Sequence, residues 1–420
     1  MSKTDSITSV PLLDLNRQYE SIKKDVQEAM RHVMEHQQFI MGPEHDQLEE
    51  QLQEYTGAPH ALGCASGSDA LLLALMGFDI GPGDYVITSP FTFFATAGAI
   101  ARLGATPIFL DIDPVDYNLD PDQVEAYLKG DHPLRAKINP SNEAIKAIIP
   151  VHLYGQMADM PRLNKLAEEY DLAVIEDAAQ AVGARCNDRA TGTWGDVCCF
   201  SCFPSKNLGG YGDAGFVTVT DDALAHKIGI LRKHGAEPKY HHSLVGINSR
   251  LDTLQAAVLG VKLPHLDDWS DQRRANALRY NQLFEEAGLV LDEMPNCQPE
   301  CAAMGGHGCD LSEHPDKLIV PSETIGAPEN GGRHVYHQYV IRTHQRDKLK
   351  AALKAANIGH SIYYPVSLHE QECFADLGYE AADCPASHCA SQQTLALPMF
   401  PELTAAEQEY VVDTVVKTLS

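Results

Sequence analysis

The stretch Phe200-Ser201-Cys202-Phe203-Pro204-Ser205-Lys206-Asn207-Leu208-Gly209-Gly210-Tyr211-Gly212-Asp213-Ala214-Gly215 decides how the chain is read. An apolar, strand-like run over 197–203 meets a proline, and a single lysine follows. Glycines at 209, 210, 212 and 215 then open the backbone where larger side chains would block close approach. Phe200, Phe203 and Tyr211 surround the lysine with aromatic rings. Burial disfavours the ammonium form, so a lysine in such surroundings loses proton affinity. A neutral amine attacks an aldehyde and forms a Schiff base. Most lysines are simply solvated, so this stretch alone leaves a catalytic and a surface reading of Lys206 both open.

Working outward, Ala173-Val174-Ile175-Glu176-Asp177-Ala178-Ala179-Gln180 reads as a strand ending in acid. In an open parallel sheet, ligands sit at the carboxyl ends of strands, where Asp177 falls. A helix N-cap is the plainer use of an aspartate there. Further upstream, a strand over 60–65 and a helix over 70–76 enclose Ser66-Gly67-Ser68-Asp69. Unpaired N–H groups and the helix dipole make such a turn an anion site. An ordinary cap by Ser68 or Asp69 explains the same letters. It is not a P-loop, because the Gly-Lys-Ser/Thr ending is absent. Strands over 85–88 and 106–111 and a helix over 97–103 continue the alternation, which predicts parallel strands joined by helical crossovers. Phe91, Phe93 and Phe94 lie at a strand end, where an aromatic ring either stacks on a flat ligand or packs in the core.

The 420 residues are 44% hydrophobic, enough for a large core and two or three domains. Lys+Arg total 32 against Asp+Glu 58, a net charge of -26. That balance argues against non-specific binding to nucleic acid or anionic membranes. The first residues lack an apolar signal core, and no apolar run is long enough to span a bilayer; a soluble cytoplasmic protein is expected. Eleven cysteines at irregular spacing suit free thiols better than a disulfide framework.

Four motifs occur in order: Cys64 to Leu71, Ile175 to Gln180, Ser201 to Gly215, and Gly246-Ile247-Asn248-Ser249-Arg250-Leu251-Asp252 with Gln255-Ala256-Ala257. Together they resemble the DegT/DnrJ/EryC1/StrS family of nucleotide-sugar aminotransferases, which use pyridoxal 5'-phosphate. The resemblance runs from about residue 12 to 400. It implies an α/β chain of the fold-type-I pyridoxal-phosphate class, aspartate aminotransferase-like. A large domain with a mostly parallel, seven-strand sheet would be followed by a small C-terminal α+β domain. Lys206 would form the Schiff base and move protons. Asp177 would keep the pyridine nitrogen protonated, Gln180 would bond the ring hydroxyl, and Phe93 would stack on the ring. Gly67, Ser68 and Ser201 would hold the phosphate. Asn248 would reach a phosphate across a subunit boundary, implying a homodimer with shared sites. Arg250, Tyr363 and Tyr364 would meet the substrate. The resemblance assigns no metal to the site.

The expected domains are 1–265, with an N-terminal helical segment, and 266–420. The division follows a long helix over 254–283 that breaks near Pro264. The smaller domain is expected to hold strands over 338–342 and 358–363 and helices over 347–356 and 404–419. His369 reads as a surface histidine. Arg232, Lys233, His234 and 239–242 form a locally basic run, either a solvated face or a contact for a diphosphate. Residues 296–332 depart from the family pattern. Cys297, Cys301, His307, Cys309 and His314 sit there in a Gly- and Pro-rich insert, which either holds zinc or is a plain loop. Cys198, Cys199 and Cys202 read as small core residues. The expected activity moves an amino group from an amino acid, glutamate, to a nucleotide-linked keto sugar; 240–252 look most like members acting on 3-keto sugars, including uronic derivatives. A sugar dehydratase is the first alternative, though its lysine position is typically histidine. A non-catalytic regulatory protein is the second.

Overall fold

The computed structural model describes residues 7–291, 311 and 313–420. Cys297, Cys301, His307 and Cys309 lie outside the described residues. Asp14 caps the first helix, α1 (Leu15–His36), accepting from the N–H groups of Asn16 and Arg17. Its buried Ile22, Val26 and Val33 follow the expected helical spacing. Pro43 opens α2 (Pro43–Thr56), which stops at Gly57 with φ 77.

Then the alternation begins: β1 (His60–Cys64), α3 (Gly67–Gly77), β2 (Tyr85–Thr88), α4 (Ala95–Arg102), β3 (Thr106–Phe109), α5 (Pro121–Lys129), β4 (Ile145–Ile149), α6 (Met160–Tyr170) and β5 (Ala173–Asp177). A two-residue ribbon, β6 (Arg185–Cys186) with β7 (Arg189–Ala190), precedes β8 (Val197–Ser201), β9 (Gly215–Val219) and α7 (Asp222–Leu231). The main sheet has seven strands in the order β1-β9-β8-β5-β4-β2-β3. β9 runs antiparallel to both neighbours, while the pairs β8/β5, β5/β4, β4/β2 and β2/β3 are parallel. Side chains alternate across it as the pleat requires. Val197 and Cys199 enter the core that holds α3, whereas Cys198 and Phe200 enter the opposite one. Cys198, Cys199 and Cys202 are all buried. Both faces are covered, so the strands read as continuous apolar runs.

Pro264 splits the predicted long helix into α8 (Thr253–Lys262), a 3-10 turn (Leu263–His265) and α9 (Leu266–Glu286). Ala277, Tyr280 and Phe284 of α9 belong to a separate core with Tyr339, Ile341, Leu395, Leu397, Val411 and Val415. Val10, near the chain's start, joins that same core. β10 (Tyr339–Arg342) pairs antiparallel with β11 (Thr394–Leu397). The strand expected over 358–363 does not form: Ile358 and Ser361 make only single bridges, to Val10 and Ala396. Thr394-Leu-Ala-Leu takes the place beside β10, and Gly359 instead accepts the close approach of Leu12. The helices Arg346–Ala355 and Ala405–Leu419 lie close to the expected spans. The Gly-, Pro- and Asn-rich segment over 129–143 is partly interior, with Leu134 and Ile138 buried.

Candidate active site

The carboxyl ends of β5 and β8 and the turn after β1 converge on a cavity of about 500 Å³. The first turn of α3 forms one wall. Ser66 caps that helix, its hydroxyl accepting from the N–H of Asp69 at 3.1 Å, and its carbonyl accepts from Ala70. The helix starts at Gly67, earlier than the predicted residue 70, so the small-residue turn is itself a helix N-terminus. Gly67 is required there: a Cβ on it would lie 2.6 Å from the Cβ of Ser201. The backbone of the turn therefore presses against the end of β8, and both open onto the cavity.

Asp177 ends β5 and is 4% exposed. The Thr96 hydroxyl donates to its Oδ2 at 2.7 Å, and the Ala179 N–H donates to Oδ1 at 3.2 Å. Burial pushes its proton affinity up, and these two bonds and the Lys206 charge pull it back. Beneath it, Glu176 is fully buried, contacts His152 at 2.9 Å, and accepts from the N–H groups of Trp194 and Gly195. That network locks the strand end from the far face.

Lys206 sits in the glycine loop after β8. Its N–H donates to the Phe203 carbonyl, while Cys202 and Gly210 tie the loop to Ala214 and to itself. Gly209 cannot be replaced without strain, since a Cβ there would meet the Pro204 carbonyl at 2.4 Å. Burial lowers the Lys206 pKa to about 8, with Asp177 opposing the drop. Burial thus favours the neutral amine, although Phe203 and Tyr211 are themselves half-exposed.

Gln180 is held by two bonds: its Oε1 accepts from the Tyr154 N–H at 2.7 Å and its Nε2 donates to the Tyr364 hydroxyl at 3.1 Å. Phe93, 58% exposed, stands at the rim 6.2 Å from the Tyr364 ring. Gly67, Ser68, Phe93, Asp177, Gln180, Ser201, Lys206, Tyr363 and Tyr364 all line this one cavity. Asn248 and Arg250 do not. Asn248 lines a separate cavity with Ser68, Asp69 and Phe94, and its Oδ1 accepts from Arg250 Nε at 2.9 Å.

Sequence reasoning missed Thr96, Tyr154, Ser205 and His337. Thr96 left a trace only in its spacing from Thr92, which precedes α4; the two hydroxyls meet at 3.3 Å. His337 had none; it meets Asn207 at 3.1 Å, and burial with the nearby Lys206 charge drives its pKa well down. Two expectations are corrected. His369 is 2% exposed rather than a surface residue, packed edge-on to Tyr379 at 6.0 Å. Arg232 is no solvated or phosphate-facing cation: it is buried, donating to Glu49 and to the Gly63 carbonyl at 2.6 Å each.

The sequence pattern of the DegT/DnrJ/EryC1/StrS aminotransferase family matches residues 20–307 and 311–416. A protein of Geobacillus stearothermophilus called a pleiotropic regulatory protein is 46% identical over 405 residues, covering 96% of this chain and 97% of its own. A UDP-N-acetyl-3-dehydro-alpha-D-glucosamine 3-aminotransferase of Acidithiobacillus ferrooxidans is 38% identical over 412 residues, covering 98% of each. The crystal structure of S. venezuelae DesV in complex with a ketimine intermediate superposes with a TM-score of 0.84, at 35% identity and 99% coverage of both chains. Solved relatives carry pyridoxal phosphate or its amine form, and the family depends on it. The cavity fits that group: a helix N-terminus pressed against Ser201, a buried acid and a lysine of lowered pKa match its phosphate, ring nitrogen and aldehyde.

Proposed function

The chain belongs to the DegT/DnrJ/EryC1/StrS aminotransferase family, and from that premise we propose that it transfers an amino group from an amino acid, glutamate, to a keto group of a nucleotide-linked sugar. The observation that carries this reading is the meeting of Lys206 and Asp177 in one cavity walled by the Ser66-Gly67-Ser68 turn. Pyridoxal phosphate, when bound, supplies an electron sink for the carbon that loses or gains the amine. The remaining work falls to the protein. Gly67 and Ser68 offer N–H groups, and Ser201 a hydroxyl, to a phosphate. Asp177, aligned by Thr96 and Ala179, holds a proton on the ring nitrogen. Gln180 is fixed by Tyr154 to face the ring hydroxyl. The Lys206 amine, with its pKa lowered to about 8, accepts a proton from the substrate carbon and returns it. Phe93 covers the ring, and Tyr363 and Tyr364 take the sugar side.

Two features support a homodimer with shared sites. Asn248 and Arg250 do not line their own subunit's Lys206 cavity, and Phe93 and Phe94 are exposed. Asn248 then completes a phosphate site across the interface, and Arg250 meets an anionic group of the substrate. We place the division between the larger and smaller bodies near residue 265, supported by the separate core that α9 enters. Among the described residues no helix is long and apolar enough to cross a membrane, in keeping with a cytoplasmic enzyme. The 38% identical relative named for a UDP-3-keto sugar favours a 3-keto acceptor.

The 46% identical relative named as regulatory gives a second, non-catalytic reading; the meeting of Lys206 and Asp177 in one cavity speaks against it, and the charge of -26 against a form that binds nucleic acid. The test is spectroscopic. Protein loaded with pyridoxal phosphate should change its visible absorption when glutamate is added, and recover on addition of a UDP- or dTDP-linked keto sugar, with the amino sugar found by mass spectrometry. A spectrum that no amino donor alters rejects the aminotransferase reading. Release of water with a deoxy-keto product identifies a dehydratase.

A further inference from the structure

A smaller cavity of about 110 Å³ adjoins the Lys206 cavity and shares Ser205, His337, Gln338 and Tyr363 with it. Its inner wall is Arg273 of α9, only 3% exposed. A guanidinium has five N–H donors and no acceptor. Here Nη1 donates to the carbonyls of Tyr336, His337 and Met399, at 3.3, 3.3 and 2.9 Å. The three N–H bonds on Nε and Nη2 have no acceptor among the described residues. Nor does any carboxylate there form an ion pair with Arg273. Glu402 acts on it only through space. Burial lowers the Arg273 pKa to about 10, so the side chain still carries its charge at neutral pH. The neighbouring His337 is driven neutral, so it adds no second positive charge, and it supplies no anion either. A buried cation with unused donors is costly unless an anion meets it.

We propose that this cavity is a carboxylate subsite, in which Arg273 receives a carboxylate of the substrate whose reacting carbon reaches Lys206. The inference rests on the aminotransferase reading above. The cofactor phosphate is not the anion, because Gly67, Ser68 and Ser201 do not line the small cavity. The Arg273 fork matches a carboxylate in two-point contact. Two substrates carry that group: the amino donor, and a sugar bearing a uronic acid. The half-reactions separate them.

With holoenzyme, Arg273→Lys keeps the charge but loses the fork. If the donor supplies the carboxylate, the half-saturating glutamate concentration rises about tenfold or more, with its limiting rate little changed and the sugar half-reaction intact. If the sugar supplies it, the pattern reverses, and only acidic sugars are affected. A folded Arg273→Lys protein that matches wild type in both arms overturns the subsite. A second measurement needs neither a variant nor turnover. Glutarate should raise the melting temperature of cofactor-free wild-type protein, and crystals grown with it should place a carboxylate on Arg273 Nε and Nη2. Arg273 turned instead onto Glu402, with no glutarate bound, overturns the proposal. If no amino donor alters the wild-type spectrum, the aminotransferase reading fails, and the glutarate crystals still decide the subsite.

Discussion

Lys206 and Lys262 attach to the same glycine loop, and burial lowers both to a pKa of about 8. Their surroundings separate them. Lys262 Nζ donates to the Gly209 carbonyl at 2.6 Å and lies 4.7 Å from the Tyr211 ring centroid. No carboxylate acts on it. Lys206 faces a cavity, with Asp177 pulling its proton affinity up. A lowered pKa is therefore not a mark of catalysis by itself. One lysine fastens the loop from behind, and the other works in front of it.

The largest break in that comparison is Lys206→Ala. Turnover should fall by at least about 10³-fold, and the cofactor absorption should lose the feature that depends on the lysine. Lys262→Ala should keep that feature. Equal losses from the two variants would mean that both lysines act through the fold alone.

Asp177→Asn sharpens the same contrast, since Lys262 has no such acid. The amide keeps the shape and the Thr96 contact but cannot hold a proton on a ring nitrogen. Turnover should drop by roughly 10²-fold or more. Asp177 raises the Lys206 pKa, so its removal should shift Lys206 below about 8. The pH dependence of acylation of the Lys206 amine in cofactor-free protein measures this, and a shift upward contradicts it.

Gly67→Ala tests the opposite wall of the cavity. The new Cβ would lie 2.6 Å from Ser201 Cβ and 3.1 Å from Ser201 Cα, so backbone must move. Cofactor affinity should weaken by about tenfold in a direct titration, with the lysine pKa values untouched. Unchanged affinity would show that the turn does not hold the phosphate.

How far these residues were legible in advance depended on whether their partners lay near in sequence. β5 and β8 are apolar runs with turn signals after them, so their ends and the positions of Asp177 and Lys206 could be read directly. The Ser66 cap likewise declares itself through small residues before a helix. β11 could not be read in the same way. Thr394-Leu395-Ala396-Leu397 has the composition of either a strand or a helix end, and its pairing with β10 spans more than fifty residues. The segment over 358–363 has better strand letters, yet Gly359 is used for close contact with Leu12. The buried cations were the hardest to see. Arg232, Lys262 and Arg273 look like solvated helix residues until tertiary packing brings up Gly63, Gly209 and Met399 carbonyls for them. Backbone acceptors leave no trace in composition.

Lys262→Met should have the smallest effect on turnover and a distinctive effect on stability. The buried lysine has a folded pKa of about 8 against an ordinary 10.5. Folding therefore disfavours its protonated form. The cost is fully present below pH 8 and fades as pH rises through 8 toward 10.5. Methionine has similar bulk and no charge, but it leaves the Gly209 carbonyl without its donor, a constant loss of about 1–3 kcal/mol. The stability difference between Lys262→Met and wild type should thus move in favour of wild type by about 3 kcal/mol between pH 7 and 10.5. Taking the difference cancels the buried tyrosines and the other cysteines; Cys202, the thiol that Lys262 acts on, has its pKa pushed up to about 12 and stays protonated over this range in both proteins. Denaturant melts at a series of pH values supply the measurement. A difference that stays flat across that range would mean that Lys262 is as freely protonated as a surface lysine, and the pairing with Lys206 drawn above would then fail on its buried side.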